Sequence, residues 1–199
     1  YADYLRQAFL IQTLTKFSYK SRERIRSSKC YVVDTGLISN RDNALLQENI
    51  GWRLENTVFI ELLRRTAHLY HDVYYYKPTS RSKEVDFVVC ERGRVLQLIQ
   101  VAYDIDTTKA YKRETESLLQ ASVKLNCSNL ILLTMSQSRE EVFNGKTIKI
   151  INIIEWLLGS IFTYLYPINP QIHRHKDIII SLDIRKNPLN PQILRHKNI

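Results

Sequence analysis

Residues 84–103 read EVDFVVCERGRVLQLIQVAY, and this stretch decides the fold. Branched and aromatic apolar residues dominate 84–90 and 95–103, and the polar stretch between them contains Gly93, which suits a tight turn. We therefore predict two antiparallel strands joined by a hairpin turn. Asp86 lies among apolar neighbours on the first strand, where a carboxylate is costly to bury, so its presence calls for a ligand or a partner.

Periodic apolar patterns predict helices and further strands on both sides of this hairpin. Leu54, Val58 and Leu62 recur at helical spacing and predict an amphipathic helix from residue 51 to about residue 65. The remaining elements are a strand at 73–76, a helix at 107–126 capped by Asp106, strands at 129–134 and 147–151, and a helix capped by Asn152. The order α-β-β-β-α-β-β-α is that of a mixed α/β domain.

The first forty residues predict a smaller unit. Residues 1–19 have the pattern of a helix followed by a strand, 18–29 are polar and basic, and 30–33 form a short strand-like run. Two strands around a basic loop are typical of a winged-helix element, and equally of an ordinary hairpin packed on the next domain. Both interpretations stay open at this point.

We divide the chain into a partial winged-helix-like or linker segment at 1–40, the α/β domain at 41–159, and a basic tail at 160–199. The tail contains two related decapeptides, NPQIHRHKDI at 169–178 and NPQILRHKNI at 190–199, which match at eight of ten positions. Two copies are too few for a solenoid, which needs roughly three repeats or more. We expect a poorly ordered, solvated extension.

The net charge of +9 is concentrated at the two ends of the chain. Residues 1–30 contain seven Lys or Arg and two Asp or Glu, residues 160–199 contain six and two, and the middle is neutral. A basic excess favours DNA as a partner, here through the ends alone. Solvated basic termini are the equally weighted alternative.

Composition argues against several classes of protein. No apolar run is long enough to cross a bilayer and no signal peptide opens the printed sequence, so we predict no membrane partner. Cys30, Cys90 and Cys127 are widely spaced and odd in number, which is typical of small core residues in a reducing, cytoplasmic compartment. Because the sequence begins with Tyr1 and not with Met, we expect it to be part of a longer protein.

Acidic residues around the hairpin match the layout of a metal-dependent phosphodiesterase. That reaction needs carboxylates that converge on Mg²⁺ and a cation, typically Lys, near the scissile phosphate. Glu55 near the helix start and Asp86 are the candidate metal ligands. Gln100 and Ala102 share one face of the second strand and occupy the positions of a Glu-x-Lys element, which leaves the acid and the cation of that element missing.

Lys112 and Arg113, on the predicted helix that follows, are the candidates for a relocated cation and for contacts with nucleic acid. Structural alternatives stay open for the acidic residues and for the glutamine. Glu55 suits a helix N-terminus through the helix dipole, and Asp86 suits an ion pair with Lys83 or with an Arg. Gln100 suits a buried amide that hydrogen-bonds Asp86.

Several short runs together resemble a known family. They are GWRLENTVFIELLRR at 51–65, VYYYKP at 73–78, EVDFVV at 84–89, LQLIQVAYDI at 96–105 and INIIEWLL at 151–158. This set resembles the C-terminal domain of a family of prokaryotic, largely archaeal AAA-family ATPases, and KCYVVDTGL at 29–37 is similar to the winged-helix end and linker before it. The resemblance covers about residues 1–159. It implies a divergent restriction-endonuclease-like fold of the PD-(D/E)xK type, a mixed sheet flanked by helices, with an ATPase domain as partner.

No phosphate-binding loop of the form G-x-x-x-x-G-K-[ST] occurs in the printed sequence, so this chain does not hydrolyse ATP by that route. We expect a non-catalytic nuclease-fold domain that binds DNA, the ATPase core or its partners, with no firm cofactor. One alternative is a divergent metal-dependent DNA nuclease with Mg²⁺ at Glu55 and Asp86. A second alternative is a structural or oligomerisation domain.

Overall fold

The computed structural model describes residues 1–25, 27–39, 50–67, 69–79 and 81–165. The chain divides into two units, Tyr1–Ile161 and Phe162–Ile199. Both decapeptides of the tail lie outside the described residues, so their expected disorder stays a prediction.

Six helices and eight strands follow one another along the described chain. The helices are α1 (Ala2–Gln7), α2 (Ser21–Ile25), α3 (Gly36–Ser39), α4 (Ile50–Thr66), α5 (Thr108–Lys124) and α6 (Ile153–Leu165). The strands are β1 (Ile11–Thr15), β2 (Ser28–Val32), β3 (Asp72–Tyr76), β4 (Val85–Glu91), β5 (Arg94–Val101), β6 (Leu130–Thr134), β7 (Arg139–Phe143) and β8 (Lys146–Asn152). Within these ranges no helix has both the length and the hydrophobicity needed to cross a lipid bilayer.

Six strands form one mixed sheet in the order β3-β4-β5-β6-β8-β7. The first three strands pair antiparallel, β5, β6 and β8 pair parallel, and β7 returns antiparallel at the edge. The parallel step from β5 to β6 requires a crossover connection, which α5 supplies. The predicted mixed α/β sheet flanked by helices is confirmed, and so is the hairpin of residues 84–103.

Apolar side chains pack on both faces of this sheet, so the central strands are buried on two sides. All five residues of β6 are buried, as expected for a strand between helices. Helix α5 covers one face and α4 covers the other, and each fully buried Leu or Phe contributes about 1.5–3 kcal/mol. The α5 layer includes Val88, Leu98, Leu118 and Leu132, and the α4 layer includes Phe59, Phe87, Ile99 and Leu133.

The structure differs from the prediction in three local features. Strand β7 is additional, because its REEVF sequence carries three charges and lacks a clear apolar alternation. Helix α2 forms within the basic connection. Thr107, not Asp106, is the N-cap of α5, since its hydroxyl accepts a hydrogen bond from the Ala110 amide at 3.2 Å. The predicted cap at Asn152 is confirmed, because its Oδ1 accepts from the Ile154 amide at 2.9 Å.

The N-terminal hairpin, β1 with β2, packs against α4 and contributes to the same core. Leu14 and Tyr31 are each 1% exposed, and the Tyr31 ring lies 4.4 Å from the Phe59 ring between centroids. The buried side-chain amide of Asn56 accepts a hydrogen bond from the Val32 amide at 2.9 Å and donates one to the Val32 carbonyl at 2.8 Å. This pair of bonds imitates a neighbouring strand and fixes β2 on the helix.

Candidate functional site: a lysine among three carboxylates

Three carboxylates, from α4 and from the start of β4, converge on one side of the sheet. Glu55 lies in the second turn of α4, and Asp86 lies on β4. Glu84 precedes β4 by one residue and is two positions from Asp86, which places both on the same side of the extended chain. The fold therefore unites Glu55 and Asp86, as the sequence predicts, and adds a third acid.

Lys29 on β2 reaches into the centre of this group. Its Nζ lies 2.8 Å from Glu55 Oε1, 2.5 Å from Glu84 Oε1 and 3.8 Å from Asp86 Oδ1. The Lys29 side chain is 25% exposed, so the contacts are only partly screened by water. The Tyr75 ring centroid lies 5.6 Å from the same ammonium group, within cation–π range. We call Lys29, Glu55, Glu84 and Asp86 the acidic cluster.

Two further groups hold the acidic cluster in place. The Tyr31 hydroxyl donates to Glu55 Oε1 at 2.6 Å, so that oxygen accepts from both Tyr31 and Lys29. Lys77 Nζ lies 3.5 Å from Glu84 Oε2. Burial, and then the Glu55 charge, raises the pKa of Tyr31 above its ordinary value, so its hydroxyl stays a proton donor.

Asp86 is 7% exposed and is held by the backbone as well as by Lys29. Its Oδ2 accepts from the Val101 amide at 2.9 Å on the neighbouring strand. Burial, and then the negative charge of Glu55, raises the pKa of Asp86 well above its usual value, while Lys29 and the Val101 amide act in the opposite direction. Burial by itself would lower the pKa of Lys29, but the charges of Asp86 and Glu55 outweigh it and raise that pKa.

Gln100 extends the network away from the acidic cluster. Its Oε1 accepts from the Asp86 backbone amide at 3.3 Å and from the Ser117 hydroxyl at 3.4 Å. Its Nε2 donates to Glu114 Oε2 at 2.8 Å, and Glu114 Oε1 accepts from Arg113 at 2.6 Å. Gln100 is thus a buried amide that bonds to the Asp86 backbone. This placement is close to the structural alternative, a buried amide bonded to Asp86, and not to a metal ligand.

The other sequence-predicted residues are placed as follows. Ala102 is half-buried against the apolar layer under α5, and its amide donates to the Leu133 carbonyl at 2.9 Å. Lys112 pairs with Glu116 at 3.8 Å, and Arg113 pairs with Glu114 at 2.5 Å. The cation that the structure places beside Asp86 is Lys29, and neither Lys112 nor Arg113 forms an ion pair with Asp86 among the described residues.

Sequence reasoning missed Lys29, Tyr31, Glu84 and Glu114. The first two lie at alternate positions of β2, so a strand that began at Ser28 instead of residue 30 would have placed them on one face. Glu84 could have been predicted, because it is two residues from Asp86 and residues two apart on a strand share a face. Glu114 gave no signal, because a Glu on an amphipathic helix is normally solvated.

The residues present do not fit a bound divalent metal ion. Mg²⁺ requires several oxygen ligands at about 2.0–2.1 Å, and here the Lys29 ammonium group takes the position where the carboxylates converge. Among the described residues, no group of three or more His, Cys, Asp or Glu side chains is arranged to hold a metal ion. Chemically, the cluster is a hydrogen-bonded ion network in which three acids share the Lys29 ammonium group.

A known family matches the central part of the chain. It is described as a domain of unknown function, DUF4143, and it matches residues 51–156. Lys29 and Tyr31 therefore lie before the matched region. No solved structure matches the chain significantly.

Two curated relatives match over longer stretches. An uncharacterized protein of Methanocaldococcus jannaschii is 36% identical over 140 residues, 67% of this chain and 29% of that protein. An uncharacterized protein of Haemophilus influenzae is 32% identical over 161 residues, 79% of this chain and 36% of that protein. The chain thus spans about a third of the length of these relatives. Because the family match covers more than half of its residues, the chain belongs to the DUF4143 family.

Proposed function

We propose that this chain is a non-catalytic domain of nuclease-like fold that binds DNA. The observation that carries the proposal is the position of the Lys29 ammonium group, 2.8 Å from Glu55 and 2.5 Å from Glu84. A metal-dependent nuclease needs an ion where these carboxylates converge, and the chain supplies its own cation there. The family's description assigns no function, so the proposal rests on the geometry.

The topology supports the nuclease-like part of the proposal. The β4–β5 hairpin carries Asp86 on its first strand, and β5 continues in parallel to β6 through α5. Glu55 arrives from a helix that precedes the sheet. These features support the PD-(D/E)xK resemblance, in which Gln100 and Ala102 would stand in place of the second acid and the lysine.

Exposed positive charge supports the DNA-binding part. Residues 1–30 carry a net charge of +5. The Lys20 side chain is 81% exposed and pairs only loosely with Glu23, at 3.8 Å, and Arg22 is exposed on helix α2. Phosphate contacts by such side chains give sequence-independent binding that weakens as salt is added. Lys112 and Arg113 lie on α5, outside this basic segment, and pair with Glu116 and Glu114.

The relatives are about three times the length of the matched region, so the domain belongs to larger proteins in those organisms. We propose that in such proteins it serves as the DNA-binding accessory of an AAA-type ATPase domain. This part rests on the resemblance of the runs in 51–158.

Cleavage assays test the non-catalytic part. The 199-residue chain is incubated with plasmid, branched and single-stranded DNA in the presence of Mg²⁺ or Mn²⁺, and calorimetry measures binding of each ion. We expect no cleavage and no stoichiometric ion binding. Metal-dependent cleavage that disappears in Asp86→Ala would overturn the proposal and favour a nuclease in which Glu55 and Asp86 act with Lys29.

Fluorescence anisotropy with labelled duplex DNA tests the binding part. We expect affinity that falls steeply with salt, and a log–log slope that is smaller by about 2 in the Lys20→Gln, Arg22→Gln double variant, because each lost phosphate contact removes roughly 0.9 of slope. The Lys112→Gln, Arg113→Gln pair is the matched control and should leave the slope nearly unchanged. Absence of binding at low salt would favour the structural or oligomerisation alternative.

A further inference from the structure

A second polar site lies at the opposite end of β5 from the acidic cluster. A cavity of about 360 Å³ opens where the β4–β5 turn meets the loop between α5 and β6. Its lining comes from Gly93 to Leu96, from Leu125 to Asn129, and from Tyr19. From Val95 to Gln100 the chain runs five residues along an extended strand, or about 16 Å, so the two sites are separate.

Four polar side chains line this cavity without protein partners. They belong to Arg94, Asn126, Ser128 and Asn129, and all four residues are exposed. Within the described ranges, no hydrogen bond or ion pair engages any of these side chains. Their donors and acceptors are therefore free to bind a ligand. The cavity volume lies near the lower end of the range of about 300–1,000 Å³ typical of small-molecule sites.

Tyr19 supplies an exposed aromatic surface at the rim. Its ring is 70% exposed and makes a T-shaped contact with Phe17, with centroids 5.2 Å apart and an interplanar angle of 78°. Phe17 itself is 2% exposed and packs among Tyr74 and Tyr76, so the Tyr19 ring rests on a buried support. An aromatic ring with this much exposed surface can accept a stacked planar group.

Apolar residues form the floor of the cavity. Val95 is 9% exposed, Leu125 6% and Cys127 5%. A buried apolar floor beneath a few polar groups is the usual composition of a small-ligand site. The arrangement suits a ligand with one flat, partly apolar part and one charged part.

The charges around the cavity indicate how such a ligand would be oriented. Arg94 is cationic, and a guanidinium group can donate two parallel hydrogen bonds to a phosphate. The C-terminus of α5 ends at Leu125, which also lines the cavity, and the last carbonyl groups of the helix carry partial negative charge. A phosphate therefore favours the Arg94 side, and amino groups of a base favour the side of Leu125 and Asn126.

We propose that this cavity binds a nucleoside phosphate. Tyr19 stacks on the base, the Asn126 and Asn129 amides bond its edge, and Arg94 binds the phosphate. A free mononucleotide and an unpaired nucleotide of a single strand present the same chemistry, and the second source rests on the DNA binding proposed above. In either case the cavity is a ligand site distinct from the acidic cluster.

Titrations of the 199-residue chain test the proposal. The ligands are dAMP, dTMP, inorganic phosphate and a labelled single-stranded deoxythymidine decamer, followed by NMR shifts for the small ligands and anisotropy for the strand. We expect dAMP or dTMP to bind, and phosphate alone to bind much more weakly. Loss of base stacking in Tyr19→Ala should weaken binding about tenfold. Arg94→Gln should weaken binding of the nucleotides while leaving the unphosphorylated nucleoside unchanged.

Two control variants show whether binding depends on the cavity or on any exposed arginine or aromatic ring. Arg92→Gln changes the same turn outside the lining, and Tyr70→Ala removes a ring that is 91% exposed elsewhere. Both should bind like the unaltered chain, and circular dichroism confirms that every variant is folded. The proposal would be overturned if Arg92→Gln and Arg94→Gln lost affinity for the nucleotide equally. It would also be overturned if neither the mononucleotides nor the single strand bound.

The outcomes also distinguish the two sources and the two proposals. Strand binding without mononucleotide binding assigns the cavity to DNA, and the reverse assigns it to a free nucleotide. Duplex binding that persists without any nucleotide binding would refute the cavity site and leave the proposed function standing. Nucleotide binding without duplex binding would support the cavity site and refute the proposed DNA binding.

Discussion

The two ends of β5 treat polar side chains in opposite ways. At the end near Gln100, polar side chains pair with one another in a network that runs from Arg113 through Glu114 and Gln100 to Asp86 and Lys29. At the end that begins with Arg94, the polar groups line a cavity and have no partner among the described residues. One end is closed by the protein's own groups, and the other remains open to a ligand.

This difference separates residues that stabilise the fold from residues that bind. A buried charge without a partner is costly, so a cluster of acids in a core must be neutralised or must hold an ion. Here Lys29 is the cation that the three acids share, so we expect the cluster to act mainly in stability. The exposed groups of the cavity contribute little to stability and are free to contribute to affinity.

The largest effect is expected from Lys29→Met, which leaves three carboxylates without their shared cation. We expect the free energy of unfolding at neutral pH to fall by about 3 kcal/mol, near the lower end for a broken buried ion pair because the lysine is 25% exposed. Urea denaturation measures it. Lys20→Met, at a side chain 81% exposed, is the control and should change stability little.

The loss of stability caused by Lys29→Met should depend on pH. The pKa of Asp86 is raised already, and loss of the lysine raises it further. The folded variant then takes up protons at a higher pH than the unfolded chain does, so its stability rises as the pH falls toward the ordinary carboxyl value of about 4. In the unaltered chain the Lys29 contribution persists to alkaline pH and is lost only as the pH rises through its raised pKa. A destabilisation that stayed constant from pH 8 to pH 5 would contradict this account.

The next largest effect is expected from Gln100→Glu, which introduces an acid at the position where the proposed nuclease-like motif would carry one. The new carboxyl group would face Glu114 and lie beside Asp86, so it can replace the amide as a hydrogen-bond donor only when it is protonated. We expect a loss of about 2.5 kcal/mol at neutral pH, equivalent to a pKa raised by roughly 2 units. The loss should shrink on acidification. Unchanged stability together with gain of Mg²⁺ binding would instead mean that this end still forms a metal site.

A smaller effect is expected from Asn56→Ala, which removes both bonds to Val32 and frees the edge of β2. We expect a loss of about 2 kcal/mol, since each bond contributes about 1 kcal/mol. Asn56→Asp retains the acceptor for the Val32 amide but turns a carboxylate toward the Val32 carbonyl at a residue that is 1% exposed. We expect it to cost at least as much as the Ala variant at neutral pH, because the new charge is buried without a partner. An Ala variant as stable as the unaltered chain would show that the hairpin is held by its apolar contacts alone.

The smallest effect is expected at the open end. Arg94→Gln and Ser128→Ala should each change the free energy of unfolding by less than about 0.5 kcal/mol, because neither side chain has a partner among the described residues. Thermal unfolding by circular dichroism checks both. A loss of about 1 kcal/mol or more, on the order of one satisfied hydrogen bond, would mean that these groups stabilise the fold. The two ends of β5 would then not differ in the role of their polar side chains.

Much of the fold was predictable because its main signals are local. The apolar runs of the β4–β5 hairpin, the helical spacing of Leu54, Val58 and Leu62, and the cap at Asn152 all correspond to elements of the structure. Strand β7 was not predictable in this way, since its charged REEVF sequence pairs through backbone bonds to β8. Edge strands commonly carry such charges.

The candidate site was predictable only in half. Glu55 and Asp86 could be named because an acid at a helix start and an acid in an apolar strand stand out in the sequence. Lys29 could not, because its meaning depends on a tertiary contact 26 residues distant in sequence. One Lys among the seven basic residues of positions 1–30 carries no sign that it will be buried.

The N-terminal hairpin is synthesised before the residues that cover it. The Tyr31 hydroxyl meets Glu55, 24 residues later, and the Tyr75 hydroxyl donates back to Ser27 across 48 residues. A ribosome adds about 5–20 residues per second, so the hairpin waits roughly 2–10 s for its partners, and a lone two-stranded hairpin is marginally stable at best. Translation that paused near residue 50 would leave Leu14 and Tyr31 uncovered. The similarity boundary at residue 51 is therefore not a folding boundary, and a domain cut there would lose part of its core.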